Sequence, residues 1–460
     1  MTENEATKGN LDFNRREFIK GASISSLMLM MGGIPLQAEP ATNTTLVDTG
    51  FSTVSPPVAC ALIGCGIWGR EILQTAALLP NMPIVAICDN YPPFLRRAKE
   101  YAPKAEAIDD YKKVLEMKEV EAVIVATPTH QHLEIVLAAL KAGKHVYCEA
   151  PLAHTVEDAH AIAVAAKGAS KLNFQAGLQM RADPGKQFVL DFIRSGAIGT
   201  SVMARAQWHK KGTWRRASPN PEREKASNWR LDTAISTGLA GEIGIHQIDL
   251  MNWYLNELPE RVTGFGAILN PNNQDGREVA DTIQTITQYP GKVNFSYDCT
   301  LANSFDSEYN LLFGNFATVM LRENKSWLFK EDDSPLLGWE IYATKMQFYK
   351  ETGITLAAGA SKSVQNAKGA ESPFADSALH YALAAFVKNC HVTADGVVNF
   401  ITAYGADADG LDEYLAGIVK SRLAAANYKD GFEATVVAIK TNEAVVTGKP
   451  VALDKSAFAV

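Results

Sequence analysis

The chain has 460 residues, 47% of them hydrophobic and 21% charged, with a formal net charge of −7. That size and balance predict a folded protein of about two domains and exclude a disordered chain. No basic block or arginine–aromatic stripe points to nucleic acid, so no such partner is expected.

The first residues read as a leader. Asn14-Arg15-Arg16-Glu17-Phe18-Ile19-Lys20 is a twin-arginine pattern, followed by the apolar Leu27-Met28-Leu29-Met30-Met31 and the small-residue stretch Leu36-Gln37-Ala38. The expectation is a twin-arginine signal over 1–38, a Thr/Ser/Pro-rich linker over 39–57, and a periplasmic or otherwise exported protein. The apolar stretch is too short to span a bilayer, so no membrane span is expected in the mature chain.

From Val58 the pattern alternates strand and helix. The run Val58–Ile63 leads into Gly64-Cys65-Gly66-Ile67-Trp68-Gly69, an amphipathic stretch follows over Glu71–Leu79, and a second apolar run, Ile84–Cys88, ends at Asp89. Between a strand and a helix, this glycine spacing is the dinucleotide fingerprint. The first glycine allows the turn, the second lets backbone approach a pyrophosphate, and the third lets helix pack on strand. Asp89 is placed to accept from a ribose 2′-hydroxyl and to repel a 2′-phosphate, which favours NAD over NADP.

Val123–Ala126, His145–Cys148 and Leu172–Gln175 read as further strands, with helices over Leu133–Lys141 and Val156–Lys167. The rhythm predicts a doubly wound parallel sheet over 58–180. Past Arg181 it changes. Ser201–His209, Arg261–Leu269, Thr282–Tyr289, Lys292–Thr300 and Glu308–Phe313 alternate like strands of an open, mainly antiparallel sheet. A polar, Arg/Trp-rich connection covers 210–230, and helices are predicted over Ile243–Leu255, Ser377–Asn389, Asp407–Arg422 and Gly431–Val446. Residues 181–460 are expected to form a second α/β domain for substrate binding and homo-oligomer assembly. The six cysteines carry no metal-ligand spacing and read as buried thiols, and no metal site is expected.

Several motifs resemble those of the Gfo/Idh/MocA oxidoreductases, relatives of glucose-fructose oxidoreductase and inositol dehydrogenase. They are the glycine fingerprint, Thr127-Pro128-Thr129-His130-Gln131-His132, the segment Lys144–Pro151, Gly177–Pro184 and the segment Gly241–Asp249. The resemblance implies an NAD(P)-binding Rossmann domain, an α/β domain on an open sheet, and a site between them. The activity it implies is hydride transfer to or from a hydroxyl of a sugar, glycoside or cyclitol. The alternative is an NAD-dependent glycosidase that works through transient C3 oxidation and elimination.

Two positions depart from the family pattern. Ala150 stands where the family has the proton-handling lysine of Glu-Lys-Pro, and Glu242 stands where it has an aspartate. Glu242, His246 and Asp249 are spaced i, i+4, i+7, so on one helix they share a face. With the resemblance they are the expected catalytic set, with His246 as general acid/base and Asp249 either orienting it or holding the fold. The expected cofactor contacts are Gly64, Gly66, Ile67, Trp68, Gly69, Asp89, Thr127, Pro128, His132, Glu149, Ala150 and Gln179. Arg181, Lys210, Trp229 and Arg230 are expected to meet the substrate, with Lys210 or Lys211 a possible replacement for the missing lysine.

Overall fold

The computed structural model describes residues 55–460, apart from 274, 338–339, 341–344, 349–350, 357–375 and 406–408. The leader and nearly all of the linker lie outside the described residues.

Six strands build the first sheet: Cys60–Ile63 (β1), Ile84–Cys88 (β2), Glu106–Ile108 (β3), Ala122–Val125 (β4), His145–Cys148 (β5) and Phe174–Ala176 (β6). Their order is β3-β2-β1-β4-β5-β6, and every neighbouring pair is parallel. Every residue of β1 and β4 is buried, which is why both read as unbroken apolar runs. The strand order reverses between β1 and β4. Chains leaving the carboxyl ends of these two strands diverge there and open a crevice.

The second sheet has ten strands: Ser201–His209 (β7), Arg261–Ala267 (β8), Thr282–Gln288 (β9), Asn294–Thr300 (β10), Glu308–Gly314 (β11), Ala317–Arg322 (β12), Lys325–Lys330 (β13), Lys345–Phe348 (β14), Glu351–Thr355 (β15) and Val451–Ala452 (β16). All neighbours are antiparallel except β7 and β10. Alternate residues of β9 are buried, so the sheet has one packed face. The helix Tyr428–Thr447 shares its core with that face, bringing Phe432, Val436 and Val437 to Val262 and Ile283. Both expected sheets are present. The hairpin β12–β13 escapes sequence reading because its turn uses Glu323 at φ 53° instead of glycine.

One helix from beyond residue 180 packs on the first sheet. The 27-residue helix Ala378–Tyr404 returns to the first sheet, where Leu383, Phe386 and Val387 join one apolar cluster with Leu62, Ile72 and Ile124. Tyr147 and Phe386 meet edge to face at 5.6 Å. Gln175 donates to the Ala382 carbonyl at 2.7 Å. Each such buried side chain contributes about 1.5–3 kcal/mol, so this helix is part of the first domain's core. All six cysteines are buried free thiols. Among the described residues no helix is long and apolar enough to cross a membrane.

Candidate active site

The glycine turn joins β1 to the helix Ile67–Ala76. Gly64 takes φ +103°, and a Cβ there would stand 2.5 Å from the Ala126 carbonyl oxygen. At Gly69 a Cβ would come within 2.0 Å of the Gly64 oxygen, so helix and strand touch through backbone. Gly66 is different: a Cβ on it meets no atom within 4 Å. Open space therefore lies over the start of a helix whose first turn has no side-chain cap and no acid. Free N–H groups and the helix dipole facing open space suit a diphosphate. Ile67 and Trp68 are exposed beside it. The residues present fit the cofactor that the fingerprint implies.

Asp89 closes the far side of the turn. Its two carboxylate oxygens each accept one backbone N–H, from Cys65 and Tyr91, both at 2.8 Å. Burial raises its pKa, and those two donors pull the other way. Asp89 thus braces the turn, and each oxygen keeps a lone pair for a ribose hydroxyl.

The loops after β4 and β5 are tied together by His132. This residue is 1% exposed, and its Nδ1 and Nε2 each lie 3.0 Å from a backbone oxygen, those of Pro151 and Thr127. Burial drives its pKa down to about 4. The expected cofactor contact is instead an internal clamp beneath Thr127 and Pro128. Two buried polar atoms nearby lack partners among the described residues, Thr127 Oγ1 and Glu149 Oε1. Burial pushes the Glu149 carboxyl up to about 7, against hydrogen bonds from Trp68 and the Ala150 backbone. Ala150 is half-buried and offers only a methyl group. Gln179 begins a short 3-10 turn at the crossover, Gln179–Ala182.

The shared helical face does not form. Glu242 ends the helix Gly238–Glu242, Ile243 leaves helical geometry at φ −124°, and the next helix is Ile245–Leu255. Glu242 is held by Thr237 Oγ1 at 2.7 Å, Thr129 Oγ1 at 3.2 Å and Arg230 Nε at 3.3 Å. The Thr129 bond carries Glu242 from the second domain onto the loop after β4. Sequence reading missed Thr129 and Thr237; Thr129 lies within a quoted motif, but its partner is 113 residues away.

Asp249 points elsewhere. It is 1% exposed and takes three hydrogen bonds from Arg181, at 2.8 to 3.1 Å, while Arg181 Nη1 reaches Asp430 at 2.7 Å. Trp253 lies under the same guanidinium at 5.6 Å. Asp249 neither touches nor orients His246, and Arg181 spends its donors on framework carboxylates instead of facing a substrate. Asp430 is the member of this cluster that sequence spacing did not reveal.

His246 is left without a carboxylate. It is half-buried, its imidazole makes no hydrogen bond among the described residues, and desolvation alone lowers its pKa to about 4. It is a neutral base at neutral pH. Trp229 packs on the His130 ring at 5.7 Å, and Arg230 stacks on Trp229 at 4.5 Å. Lys210 and Lys211 are exposed, their backbone N–H groups fastened to Thr300 at the end of β10 and to Ser304 in the loop that follows it.

Comparison with known proteins agrees with this geometry. The family model "Oxidoreductase family, NAD-binding Rossmann fold" matches residues 58–177, and "GFO/IDH/MocA C-terminal domain" matches 187–318. Inositol 2-dehydrogenase of Salmonella typhimurium is 32% identical over 198 residues, 43% of this chain and 54% of that protein. Levoglucosan dehydrogenase of Pseudarthrobacter phenanthrenivorans is 28% identical over 216 residues, 47% and 51% of the two chains. The chain thus spans about half the length of these curated relatives. Over the whole fold it superposes on levoglucosan dehydrogenase in complex with NADH and levoglucosan, with a TM-score of 0.64 at 17% identity, covering 86% of this chain and 99% of that one. Scyllo-inositol dehydrogenase from Lactobacillus casei, with bound cofactor NAD(H) and scyllo-inositol, gives 0.57 at 17% identity, covering 86% and 98%. The chain belongs to the Gfo/Idh/MocA oxidoreductase family, its first domain that family's NAD-binding Rossmann fold.

Proposed function

We propose that the protein is an exported, NAD-dependent oxidoreductase acting on a hydroxyl of a sugar, glycoside or cyclitol. The observation that carries this reading is the open space at Gly66, over an uncapped helix start, in the same crevice onto which Thr129 draws Glu242. Bound NAD supplies the hydride acceptor. The chain's own part is to hold it and to move a proton. Gly64, Gly66 and Gly69 shape the pocket for the diphosphate, and Asp89 takes a ribose hydroxyl. Glu149 and Thr127 offer their free polar atoms to the cofactor.

Oxidising a carbinol releases a proton from its oxygen, and Ala150 cannot take it. His246, neutral and without a hydrogen-bond partner among the described residues, is the base in this reading. Glu242 fixes the loop beside it and holds Arg230 toward the substrate, with Trp229 as an apolar wall for a sugar ring's C–H face. The twin-arginine pattern at Arg15-Arg16 supports export. Val202, Met203, Phe265 and Ile286 are exposed on the second sheet and support self-association.

The test is to incubate the full chain and NAD with cyclitols, free sugars and aryl and methyl glycosides, following reduced nicotinamide and product mass. Keto product formed in step with NADH is expected. Released aglycone without net NADH replaces this reading with the glycosidase, and no product from any substrate refutes both. His246→Ala is expected to cut turnover by about 10²- to 10⁴-fold while NADH still binds. Turnover within a few-fold of wild type removes His246 from the mechanism.

A further inference from the structure

The Arg/Trp-rich connection that the proposed chemistry uses only at Trp229 and Arg230 also reaches the opposite end of the crevice. It contains a short helix, Pro221–Ser227, with Arg223 on it. The Arg223 guanidinium stacks over Tyr91 at 3.9 Å and lies 5.6 Å from the Phe94 ring, and its Nη1 is 3.4 Å from Asn90 Oδ1. Asn90 and Tyr91 directly follow Asp89, so this contact lies at the ribose end of the fingerprint. Arg223 Nε is buried and has no hydrogen-bond partner among the described residues. At the other end Trp229 rests on His130 and Arg230 on Glu242. The connection is therefore a strap fastened to the loops after β2 and β4, crossing the mouth of the crevice between them.

The strap is held as a closed loop. Asn228 accepts from the Arg216 N–H at 2.6 Å and donates to the Arg216 carbonyl at 3.0 Å. Arg215 is committed to Asp275 and Glu224. Its neighbour Arg216 has no acidic partner among the described residues. Burial lowers its pKa, and the like charges of Arg230 and Arg70 push the same way. Arg70 in turn donates to the Cys65 carbonyl within the glycine turn, at 3.0 Å. Arg230 is paired with Glu242 and Asp89 lies in the field of Arg70 and Arg223, so Arg216 is the strap arginine left without an acid, on the side of Arg70 and the uncapped helix start. That is the arrangement an anion completes.

The geometry points to a clasp: the strap closes over a bound dinucleotide, Arg216 against its diphosphate and Arg223 against its adenosine ribose. The inference rests on NAD being the cofactor. The dinucleotide then leaves only when the strap lifts, so the strap sets its release rate.

The full-chain protein, stripped of cofactor, is titrated with NADH, ADP-ribose and adenosine, and NADH release is timed by stopped-flow displacement. Losing a charge-assisted bond to phosphate weakens binding by about tenfold or more. Arg216→Ala is expected to weaken NADH and ADP-ribose to that extent, to speed NADH release, and to leave adenosine unchanged. Arg216→Lys is expected to recover most of the loss, and Arg223→Ala to weaken all three ligands. Both arginines are outside the core, so the variants are expected to melt with wild type. NADH release unchanged in both alanine variants overturns the clasp, as does an equal loss of adenosine in Arg216→Ala. Wild type that fails to bind NADH strikes the functional reading itself, whereas wild-type binding with unaltered variants strikes only the strap.

Discussion

The two walls of the crevice are built on opposite plans. On the nucleotide side the working surface is backbone: a glycine turn, a bare helix start, and open space at Gly66. On the substrate side the polar side chains are occupied with one another. Arg181 binds Asp249 and Asp430, and Glu242 binds Thr129, Thr237 and Arg230. His246 stands apart there, its imidazole without a hydrogen bond among the described residues. Backbone sites are kept rigid by close packing and need few particular side chains. Side-chain sites need every charge paired, so most of their polar residues are scaffold and few meet a ligand.

The substrate wall breaks most severely through its buried ion cluster. Arg181→Ala leaves Asp249, 2% exposed in its side chain, without a counter-charge. The expected loss is about 3–5 kcal/mol in urea unfolding. Replacing both partners with apolar residues, Arg181→Met with Asp249→Leu, is expected to recover much of it. A catalytic Asp249 predicts the reverse pattern, a stable but inactive single variant at Asp249.

The nucleotide wall breaks by position. Gly69→Ala drives a methyl onto the Gly64 carbonyl, a backbone atom that cannot swing away, and is expected to cost up to about 3 kcal/mol. Gly66→Ala meets no protein atom, so its melting curve is expected within about 0.5 kcal/mol of wild type. NADH affinity is the quantity it lowers, because the methyl occupies the diphosphate's space. A Gly66→Ala protein that binds NADH normally removes the open space as evidence for the cofactor.

The same contrast explains what the sequence made legible. Glycine spacing, unbroken apolar strands and a terminal acid are local features, so β1, β2, β4 and β5 and the turn emerged almost at their observed bounds. The side-chain wall is not local. Glu242, His246 and Asp249 look like one helical face until Ile243 breaks the helix, and the partners that decide their roles lie far along the chain at Thr129 and Asp430. His132 has the sequence context of a site residue, yet its contacts are the carbonyls beneath the site. The return of Ala378–Tyr404 to the first sheet is non-local in the same way.

Glu149 is where the two plans meet, a buried side chain on the backbone wall, and it gives the most diagnostic effect. Its carboxyl rises from 4.5 to about 7 in the folded chain because burial disfavours the charge. Above pH 4.5 the unfolded chain releases a proton that the folded chain retains, so this group's stabilisation falls as pH climbs from 4.5 through 7. His132, His145 and His246 act in the opposite sense. Their folded values near 4 lie below 6.5, so their contribution falls as pH drops through that window. Glu149→Gln removes only the first trend. Its stability is expected to match wild type at pH 4 and to exceed it by roughly 3 kcal/mol at pH 8, the histidine terms being common to both proteins. Repeating the comparison with saturating NADH separates a packing role from a ligand role. If Glu149 accepts a hydrogen bond from the cofactor, bound NADH lowers its pKa and shrinks the gap at pH 8. If it only fills the wall between Trp68 and Gly177, the gap stays the same.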